Sequence, residues 1–488
     1  MRHLLLIILA LLTQSTLHAQ GLNFDDAAYG KIPKKYSYGV IDTAVGLPAR
    51  VDLSPYAPSV MSQGKFGTCV GFSSAYYGRT ILEAVSRGIT DQAEIDALRF
   101  SPSFLYNAIK DSTDVDCVKG SLIEDALTYM RDNGVATLTD KDYPNYGENN
   151  LSLVRSESRI MDYIRLFDLI DKQGSVAVAT KKALAEMTPV IIGFQTTPSF
   201  SDLSFLGKIW RWIKRLFGGD DESGLWIPAD SNKRTNGHAA CVVGYDDAKF
   251  GGAFKIVNSY GESWGEDGYF WMTYPDYTEY TKYGYQAYLP ITQDSAGVTL
   301  AGSVVIKRAT FETDNDIPCV RSVEGKTNSG SENQEAMVAY SLLNPQRSGS
   351  NFKFVVDVDR LAYVYLLAAS SSEPRTNVLF PVSAAISPII GPDSQLLLPS
   401  ENLLYTLDDE PGTEHMLFLF SEKELDIENY AFEMNEAQGN FTERVLTAFG
   451  KDLVPYQQVE YDDRKINFTL RGKHEGHIVP LLISLQHE

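Results

Sequence analysis

The sequence predicts an α+β domain in the first half of the chain and an all-β, sandwich-like domain in the second half. Apolar residues recur at spacings of three and four over 73–87 and 122–132, which is typical of helices. Short apolar runs with β-branched residues follow at 189–194, 239–245 and 254–257, as in buried strands. Helices first and strands afterwards indicate an α+β arrangement, and the later strand-like runs indicate a separate β domain.

Composition places the chain among globular proteins. It has 488 residues, of which 44% are apolar and 22% charged, and this supports about two to four domains with real hydrophobic cores. These values exclude disordered and collagen-like chains, and four cysteines are too few for a disulfide framework. The net charge of −20 argues against a nucleic-acid partner, because no net positive field attracts phosphates.

Residues 1–19 have the pattern of an export signal. An apolar run covers Leu4–Leu12, and Ala19 closes a small-residue cleavage site. The run is shorter than the roughly 20 apolar residues that span a bilayer, although an N-terminal anchor or a buried helix remains the alternative. We expect a secreted or periplasmic protein in which residues 20–45 form a short leader after cleavage.

Three separated segments carry the parts of a thiol acyl-transfer site. Cys69 stands where a glycine-containing loop meets a helical pattern, and a helix N-terminus favours the nucleophilic thiolate. Gln63, six residues upstream, can add a side-chain donor to an oxyanion hole. His238 opens one apolar strand and Asn258 ends another, which supplies a base and a group that orients it. A buried structural cysteine and a structural histidine are the alternatives for each segment alone.

These segments resemble the papain-like cysteine peptidases. The nucleophile segment Gln63-Gly-Lys-Phe-Gly-Thr-Cys69-Val-Gly-Phe is similar to that family's Gln-Gly-x-Cys-Gly-Ser-Cys-Trp-Ala-Phe. Asn236-Gly-His238-Ala and Asn258-Ser-Tyr-Gly-Glu-Ser-Trp264-Gly resemble its histidine and asparagine segments. The similarity covers roughly residues 47–289. It implies a two-lobed fold, with a helical left lobe and a β-rich right lobe, over residues 46–292.

The resemblance also implies a role for each matching residue. Cys69 would be the nucleophile, His238 its base and later the acid, and Asn258 the group that holds the imidazole. Gln63 and the backbone N–H of Cys69 would form the oxyanion hole. The remaining matches imply substrate binding: Gly120 through its backbone, Ala239 in an apolar pocket, and Trp264 in the aromatic wall behind the asparagine.

Departures from the family pattern lead to three expectations. The family's first cysteine is Phe66 here, so its usual disulfide with the residue equivalent to Cys117 cannot form. Tyr260 replaces a tryptophan that shields the His–Asn contact, so we expect that contact to be more hydrated. The leader at 20–45 is too short for the family's inhibitory prodomain, and any latency would have to come from elsewhere.

Residues 201–222 form an insert relative to the family. Within them, 203–217 combines one apolar helical face with a basic opposite side, and the acidic 220–222 follows. We expect a flap helix packed on its own domain. A lid over the cleft and a helix lying on a membrane surface are the alternatives. The acidic run weakens the membrane interpretation, because it can neutralise the basic side.

The second half is divided into a connecting segment, 293–345, and a β-rich accessory domain, 346–488. Segments such as Asn377-Val-Leu-Phe-Pro and Pro411-Gly-Thr-Glu resemble a bacterial β-rich domain of unknown function that accompanies peptidases and kinases. We see no catalytic set there. The expected role is binding or scaffolding of an unidentified ligand, with a stabilising appendage as the alternative.

Together these observations predict a secreted bacterial thiol peptidase acting on protein or peptide substrates. We find no zinc cluster, phosphate loop or dinucleotide fingerprint in the sequence, so we expect neither a cofactor nor a metal. The rival hypothesis is a non-catalytic extracytoplasmic binding or scaffold protein that reuses the papain-like fold.

Overall fold

A computed structural model shows two compact units. It describes residues 21–36, 46–171, 175–203, 224–229, 234, 237–290, 297–309, 314–316, 318–325, 336–392, 394–400 and 403–488. The first unit comprises residues 1–32 and 48–290, and the second comprises 33–47 and 291–488. The predicted signal at 1–19 and residues 204–222 of the insert lie outside the described residues.

The helices described in the first unit lie mostly before residue 133. They are α1 (Asp26–Lys31), α2 (Cys69–Gly71), a π-helical stretch (Phe72–Arg79), α3 (Thr80–Arg87), α4 (Gln92–Leu98), α5 (Pro102–Ile109), α6 (Ile123–Asp132), α7 (Ser175–Ala185) and α8 (Tyr274–Tyr280). Local chemistry sets several starts: Asp25 caps α1, Asp91 caps α4, and Ser101 caps α5 ahead of a proline in the first turn.

The helix that begins at Cys69 runs without interruption to Arg87. Backbone angles stay helical at Phe72 and Thr80, where α2, the π-helical stretch and α3 meet. Every residue from Cys69 to Leu82 is buried, and Gly88 ends the helix in the left-handed conformation, at φ +64°. The first turn of a buried helix therefore presents the cysteine.

The first unit contains one antiparallel sheet of seven strands. They are β1 (Arg50–Asp52), β2 (Asp162–Arg165), β3 (Val190–Gln195), β4 (Gly237–Asp246), β5 (Ala253–Val257), β6 (Tyr269–Thr273) and β7 (Thr281–Tyr288). Their order is β2-β7-β3-β4-β5-β6, with β1 paired to β4. Strand β4 is buried from Gly237 to Tyr245, which explains its continuous apolar sequence. The predicted α+β class is confirmed.

Two sheets of seven strands make up most of the second unit. Its strands are β8 (Val298–Ala309), β9 (Asp314–Asp316), β10 (Cys319–Gly325), β11 (Ala336–Leu342), β12 (Asn351–Val358), β13 (Ala362–Ser370), β14 (Asn377–Phe380), β15 (Ile389–Ile390), β16 (Gln395–Leu398), β17 (Tyr405–Thr406), β18 (Gly412–Ser421), β19 (Val459–Tyr461), β20 (Ile466–Arg471) and β21 (Ile478–His487). One sheet has the order β10-β11-β21-β18-β13-β14, with β15 on β13. The other has the order β16-β12-β8-β20-β19, with β17 on β12 and β9 on β8.

The structure corrects two expectations about this half. Residues 293–345 were expected to connect two domains, yet they contain β8 and β11, each of which is paired on both sides within its sheet. Two helices, α9 (Ile427–Glu436) and α10 (Phe441–Phe449), interrupt the β pattern. A capping box formed by Asn440 and Glu443 starts α10. The β-rich character itself is confirmed.

Within the described residues, no helix has both the length and the apolar character needed to cross a membrane.

Candidate active site

Cys69 is fully buried at the first position of α2. Burial raises the pKa of its thiol, and the nearby backbone N–H groups of Ala239, Gly21 and Val70 act in the opposite direction. Since Ala239 follows His238 on β4, the strand brings the histidine next to the start of the helix. The cysteine and histidine segments, far apart in sequence, thus meet at the junction of helix and sheet.

The imidazole of His238 is hydrogen bonded to the side chain of Asn258. Strands β4 and β5 pair, and His238 lies at the start of β4 while Asn258 directly follows β5. Nε2 of His238 lies 2.8 Å from Oδ1 of Asn258. The backbone N–H of Ser259 donates to the same oxygen at 2.8 Å, which fixes the orientation of the amide. Because that oxygen can only accept, the proton must be on Nε2, and Nδ1 is the nitrogen that can exchange protons.

Aromatic side chains enclose this pair. Three rings lie with centroids 5.0 Å, 5.5 Å and 5.8 Å from the imidazole: Tyr260, Phe194 and Phe200. Both His238 and Asn258 are 0% exposed. The expectation that the tyrosine leaves the contact more hydrated is therefore wrong, because Phe194 and Phe200 complete the shield.

Trp264 belongs to the same aromatic wall. Its ring lies 5.0 Å from that of Phe200 and 5.4 Å from that of Tyr260. Only 3% of it is exposed, so the structure places it behind the site rather than on a substrate-binding surface.

Gln63 is held rigidly in the loop before Cys69. Its backbone N–H donates to the carbonyl of Ser259 at 2.7 Å, and its own carbonyl accepts from the Tyr143 hydroxyl at 2.6 Å. The side-chain Nε2 donates to the carbonyl of Phe66 at 2.7 Å. A primary amide carries two donor hydrogens, so this bond uses only one of them.

The N-terminal segment 21–24 covers this site, which sequence reasoning did not predict. The carbonyl of Gly21 accepts from the N–H of Ser121 at 2.9 Å, and the N–H of Asn23 donates to the carbonyl of Ser121 at 3.0 Å. On its other side, Leu22 bridges to Gly237. The segment thus forms an extra strand between the loop at 120–121 and the start of β4.

Two of the predicted substrate-binding residues contact this extra strand or its pocket. Gly120 has φ +78°, and a Cβ there would lie 2.2 Å from the carbonyl oxygen of Gly21. Only glycine therefore permits so close an approach. Leu22 is buried in the same apolar cluster as Ala239 and Ile123. The structure brings Gly120 and Ala239 to opposite sides of one extended segment.

The environment of Cys69 in this arrangement favours the protonated thiol. Burial raises the pKa of the Cys69 thiol to about 11, although backbone N–H groups of Ala239 and Gly21 act in the opposite direction. A nucleophilic thiolate needs a lower pKa. Residues 21–24 cover the cysteine, and its burial favours the protonated thiol over the thiolate.

All four cysteines are free, as expected for Cys117 in the absence of its family partner. Cys117 is buried, and the Lys110 ammonium lies 3.2 Å from its sulfur. Cys241 is buried on β4, where burial strongly raises the pKa of its thiol.

Comparison with known proteins finds a different family model in each half of the chain. Residues 221–288 match the family model described as papain family cysteine protease, and residues 346–424 match a domain of unknown function, DUF4384. The papain-family match includes His238 and Asn258 but not Cys69, whose assignment depends on its own motif and position.

Individual relatives share low identity with this chain. Cysteine endopeptidase Rep1 of Oryza sativa subsp. japonica is 28% identical over 263 residues, 52% of this chain and 60% of the relative. Cathepsin K of Mus musculus is 25% identical over 214 residues, 44% of this chain and 55% of the relative. The chain thus spans little more than half the length of these relatives. Among solved structures, xylellain, a cysteine protease from Xylella fastidiosa, shares 20% identity with a TM-score of 0.41, over 56% of this chain and 96% of that one.

Proposed function

We propose that this chain, with its papain-like first unit, is a thiol-dependent peptidase that hydrolyses peptide bonds in protein or peptide substrates. The observation that carries the proposal is the His238–Asn258 hydrogen bond, fully buried and placed by β4 beside Cys69 at a helix start. A structural histidine needs no such fixed tautomer next to a thiol.

In the proposed reaction, an extended peptide takes the place of residues 21–24. Nδ1 of His238 accepts the Cys69 proton, and the sulfur attacks the scissile carbonyl carbon. The carbonyl oxygen becomes an oxyanion that the backbone N–H of Cys69 and Nε2 of Gln63 stabilise. The C–N bond then breaks as the imidazolium returns its proton to the leaving amine.

The second half-reaction releases the acyl group. A water molecule, deprotonated by His238, attacks the thioester carbon, the C–S bond breaks, and the thiol is regenerated. Throughout, Oδ1 of Asn258 holds the imidazole in one tautomer and stabilises its positive charge when Nδ1 is protonated.

Export from the cytoplasm is part of the proposal. It is supported by the apolar run Leu4–Leu12, which ends ahead of the small residue Ala19 at the expected cleavage position. N-terminal sequencing of protein recovered from a culture's periplasm or medium tests it. A mature N-terminus near residue 20 is expected, and a full-length cytoplasmic product would contradict export.

Labelling with an epoxide-type thiol-peptidase inhibitor distinguishes the enzyme from the scaffold hypothesis. We expect label on Cys69, and cleavage of a denatured protein substrate, in a Leu22→Glu variant designed to open the cleft. Both cysteine variants are made in the Leu22→Glu chain. Cys319→Ala, in the second unit, is the matched control and should label as fully as the Leu22→Glu chain itself, whereas Cys69→Ala should not label. Absence of both labelling and cleavage in the opened variant would favour a non-catalytic protein.

A further inference from the structure

A buried histidine in the second unit faces two carboxylates without bonding to them. His487 ends β21 and is 2% exposed. Its Nδ1 lies 3.0 Å from the hydroxyl of Ser348, which fixes the ring. Its Nε2 is buried and has no hydrogen-bond partner in the described part of the chain. Burial of an unpartnered nitrogen is costly, so this atom calls for an explanation.

The carboxylates of Asp408 and Glu414 are the groups that this nitrogen faces. Oδ1 of Asp408 lies 3.7 Å from Nε2, and Oε1 of Glu414 lies 3.6 Å from it. Both distances exceed the 2.7–3.2 Å or so of a hydrogen bond. Oε1 of Glu414 is likewise buried without a hydrogen-bond partner among the described residues. All three atoms lie within 4.8 Å of one another.

The two separations from His487 Nε2, 3.6 Å and 3.7 Å, are at or just above those of ligands around one zinc ion. Zinc binds imidazole nitrogen and carboxylate oxygen at about 2.0–2.2 Å, so two of its tetrahedral ligands lie about 3.3–3.6 Å apart. A divalent ion also neutralises two carboxylates brought beside a neutral imidazole. Calcium and magnesium prefer a larger, all-oxygen ligand set, which this site lacks.

We propose that Asp408, Glu414 and His487 bind a zinc-class divalent ion in the second unit. The ligands come from three places: the loop after β17, the start of β18, and the end of β21. The ion links β21 to β18, because Glu414 on β18 pairs with Leu485, which lies two residues before His487 on β21. The Asp408 side chain is 50% exposed, which leaves room for water as a fourth ligand.

The test is binding of Zn²⁺ by the full chain after treatment with a chelator. All proteins carry Cys69→Ala, so that the proposed catalytic thiol cannot bind the ion. Calorimetric titration should give one site per chain. The variants Glu414→Gln and His487→Asn should bind at least about 10-fold more weakly. Substitution with Co²⁺ should give an absorption spectrum of a tetrahedral site that the same variants lose.

His474→Asn is the matched control. His474 lies 3.4 Å from Glu422 in the same unit, with no second carboxylate grouped there among the described residues, so its loss should leave zinc binding unchanged. If His487→Asn does not fold, Asp408→Asn, at an exposed side chain, replaces it. The proposal is overturned if the parent binds no Zn²⁺ or if Glu414→Gln binds it equally well. The cluster would then be an imidazolium–carboxylate group.

Discussion

At the scale of single residues, the arrangement around His238 depends on one amide oxygen. Oδ1 of Asn258 accepts from both the imidazole and the backbone of Ser259, each at 2.8 Å. Two donors on one buried oxygen determine the amide orientation, and through it the tautomer of the histidine.

Replacement of Asn258 by alanine should therefore lower kcat/KM without unfolding the unit. Loss of a buried hydrogen bond costs about 1–3 kcal/mol, or roughly 5-fold to 150-fold in rate if the bond orients the base throughout the reaction. The measurement is hydrolysis of a fluorogenic peptide by Leu22→Glu chains with and without the substitution. Equal kcat/KM values in the two chains would show that Asn258 does not orient the base.

The pH dependence of Cys69 alkylation tests the state of the thiol. Because burial raises the pKa of Cys69 to about 11, iodoacetamide should react slowly at pH 8 in the full chain and faster as the pH rises towards that value. In Leu22→Glu, the midpoint should fall towards the ordinary value of about 8.5. Mass spectrometry of the Cys69 peptide provides the rates. The same midpoint in both proteins would mean that residues 21–24 do not cover the sulfur.

Most of the proposed catalytic residues could be singled out from the sequence, because each lies in a short local pattern. Cys69 follows a glycine loop, and His238 and Asn258 flank apolar strands. The shielding roles of Phe194 and Phe200 could not be predicted from the sequence, because these side chains shield His238 only after β3 and β4 have paired. The same holds for the zinc ligands, since the pairing of β18 with β21 brings Glu414 towards His487.

At the scale of elements, the segment 21–24 is the feature that most changes the interpretation of the sequence. Its hydrogen bonds to Ser121 and its bridge to Gly237 are those of an added strand. The helix that follows, α1, is anchored by Tyr29, whose hydroxyl donates to the carbonyl of Phe167 at 2.7 Å and whose ring stacks on Tyr283. A short extended segment can thus cover the cleft, because its backbone pairs with both sides.

Leu22→Glu should increase peptide hydrolysis relative to the parent chain. The Leu22 side chain is buried, and a Cβ on Gly193 would lie 2.8 Å from its Cδ2, so a carboxylate there would lose its hydration. The expected outcome is a rise in kcat/KM of about 10-fold or more, given a burial energy of about 1.5–3 kcal/mol for the leucine. Gly30→Ala is the control, because that residue is exposed and a Cβ there meets no atom within 4 Å. If both variants match the parent, the segment does not limit access.

Among the elements, strands were predicted better than the helices of the second unit. The runs at 352–358 and 363–368 lie within β12 and β13. Helices α9 and α10 were missed, although Asn440 and Glu443 form a capping box that the sequence displays. The apolar runs on either side of these two helices favoured the interpretation of the whole region as strands.

At the scale of the whole molecule, the chain divides into units that do not follow sequence order. Residues 33–47 belong to the second unit although they separate two parts of the first. Lys34 donates its backbone N–H to Ala385 at 2.7 Å and accepts from Ser387 at 2.9 Å. No periodicity in residues 20–45 predicts this, because a bridge made by the single residue Lys34 leaves no pattern in the sequence.

The stability of the first unit should fall in alkaline solution. Burial raises the pKa of Cys69 to about 11 and that of Tyr245 to about 12, so folding favours their protonated forms. Their contribution is fully present below the unfolded pKa values, about 8.5 and 10, and is lost as the pH rises through 11 and 12. The melting temperature, followed by calorimetry from pH 8 to pH 11, should decrease. Cys69→Ala should reduce that decrease, and an unchanged pH slope in this variant would contradict the prediction.

The strand at 21–24 has a further consequence, which concerns concentration. As an inhibitor of the proposed peptidase, it would be joined covalently to its own target, so its local concentration would be set by chain length rather than by the amount of protein. For short tethers this concentration is on the order of millimolar. A detached peptide of residues 21–32 should therefore inhibit the Leu22→Glu chain only at comparable concentrations, while the intact chain stays closed at any dilution. A substrate would have to compete with residues 21–24, which stay tethered to the cleft and cannot diffuse away.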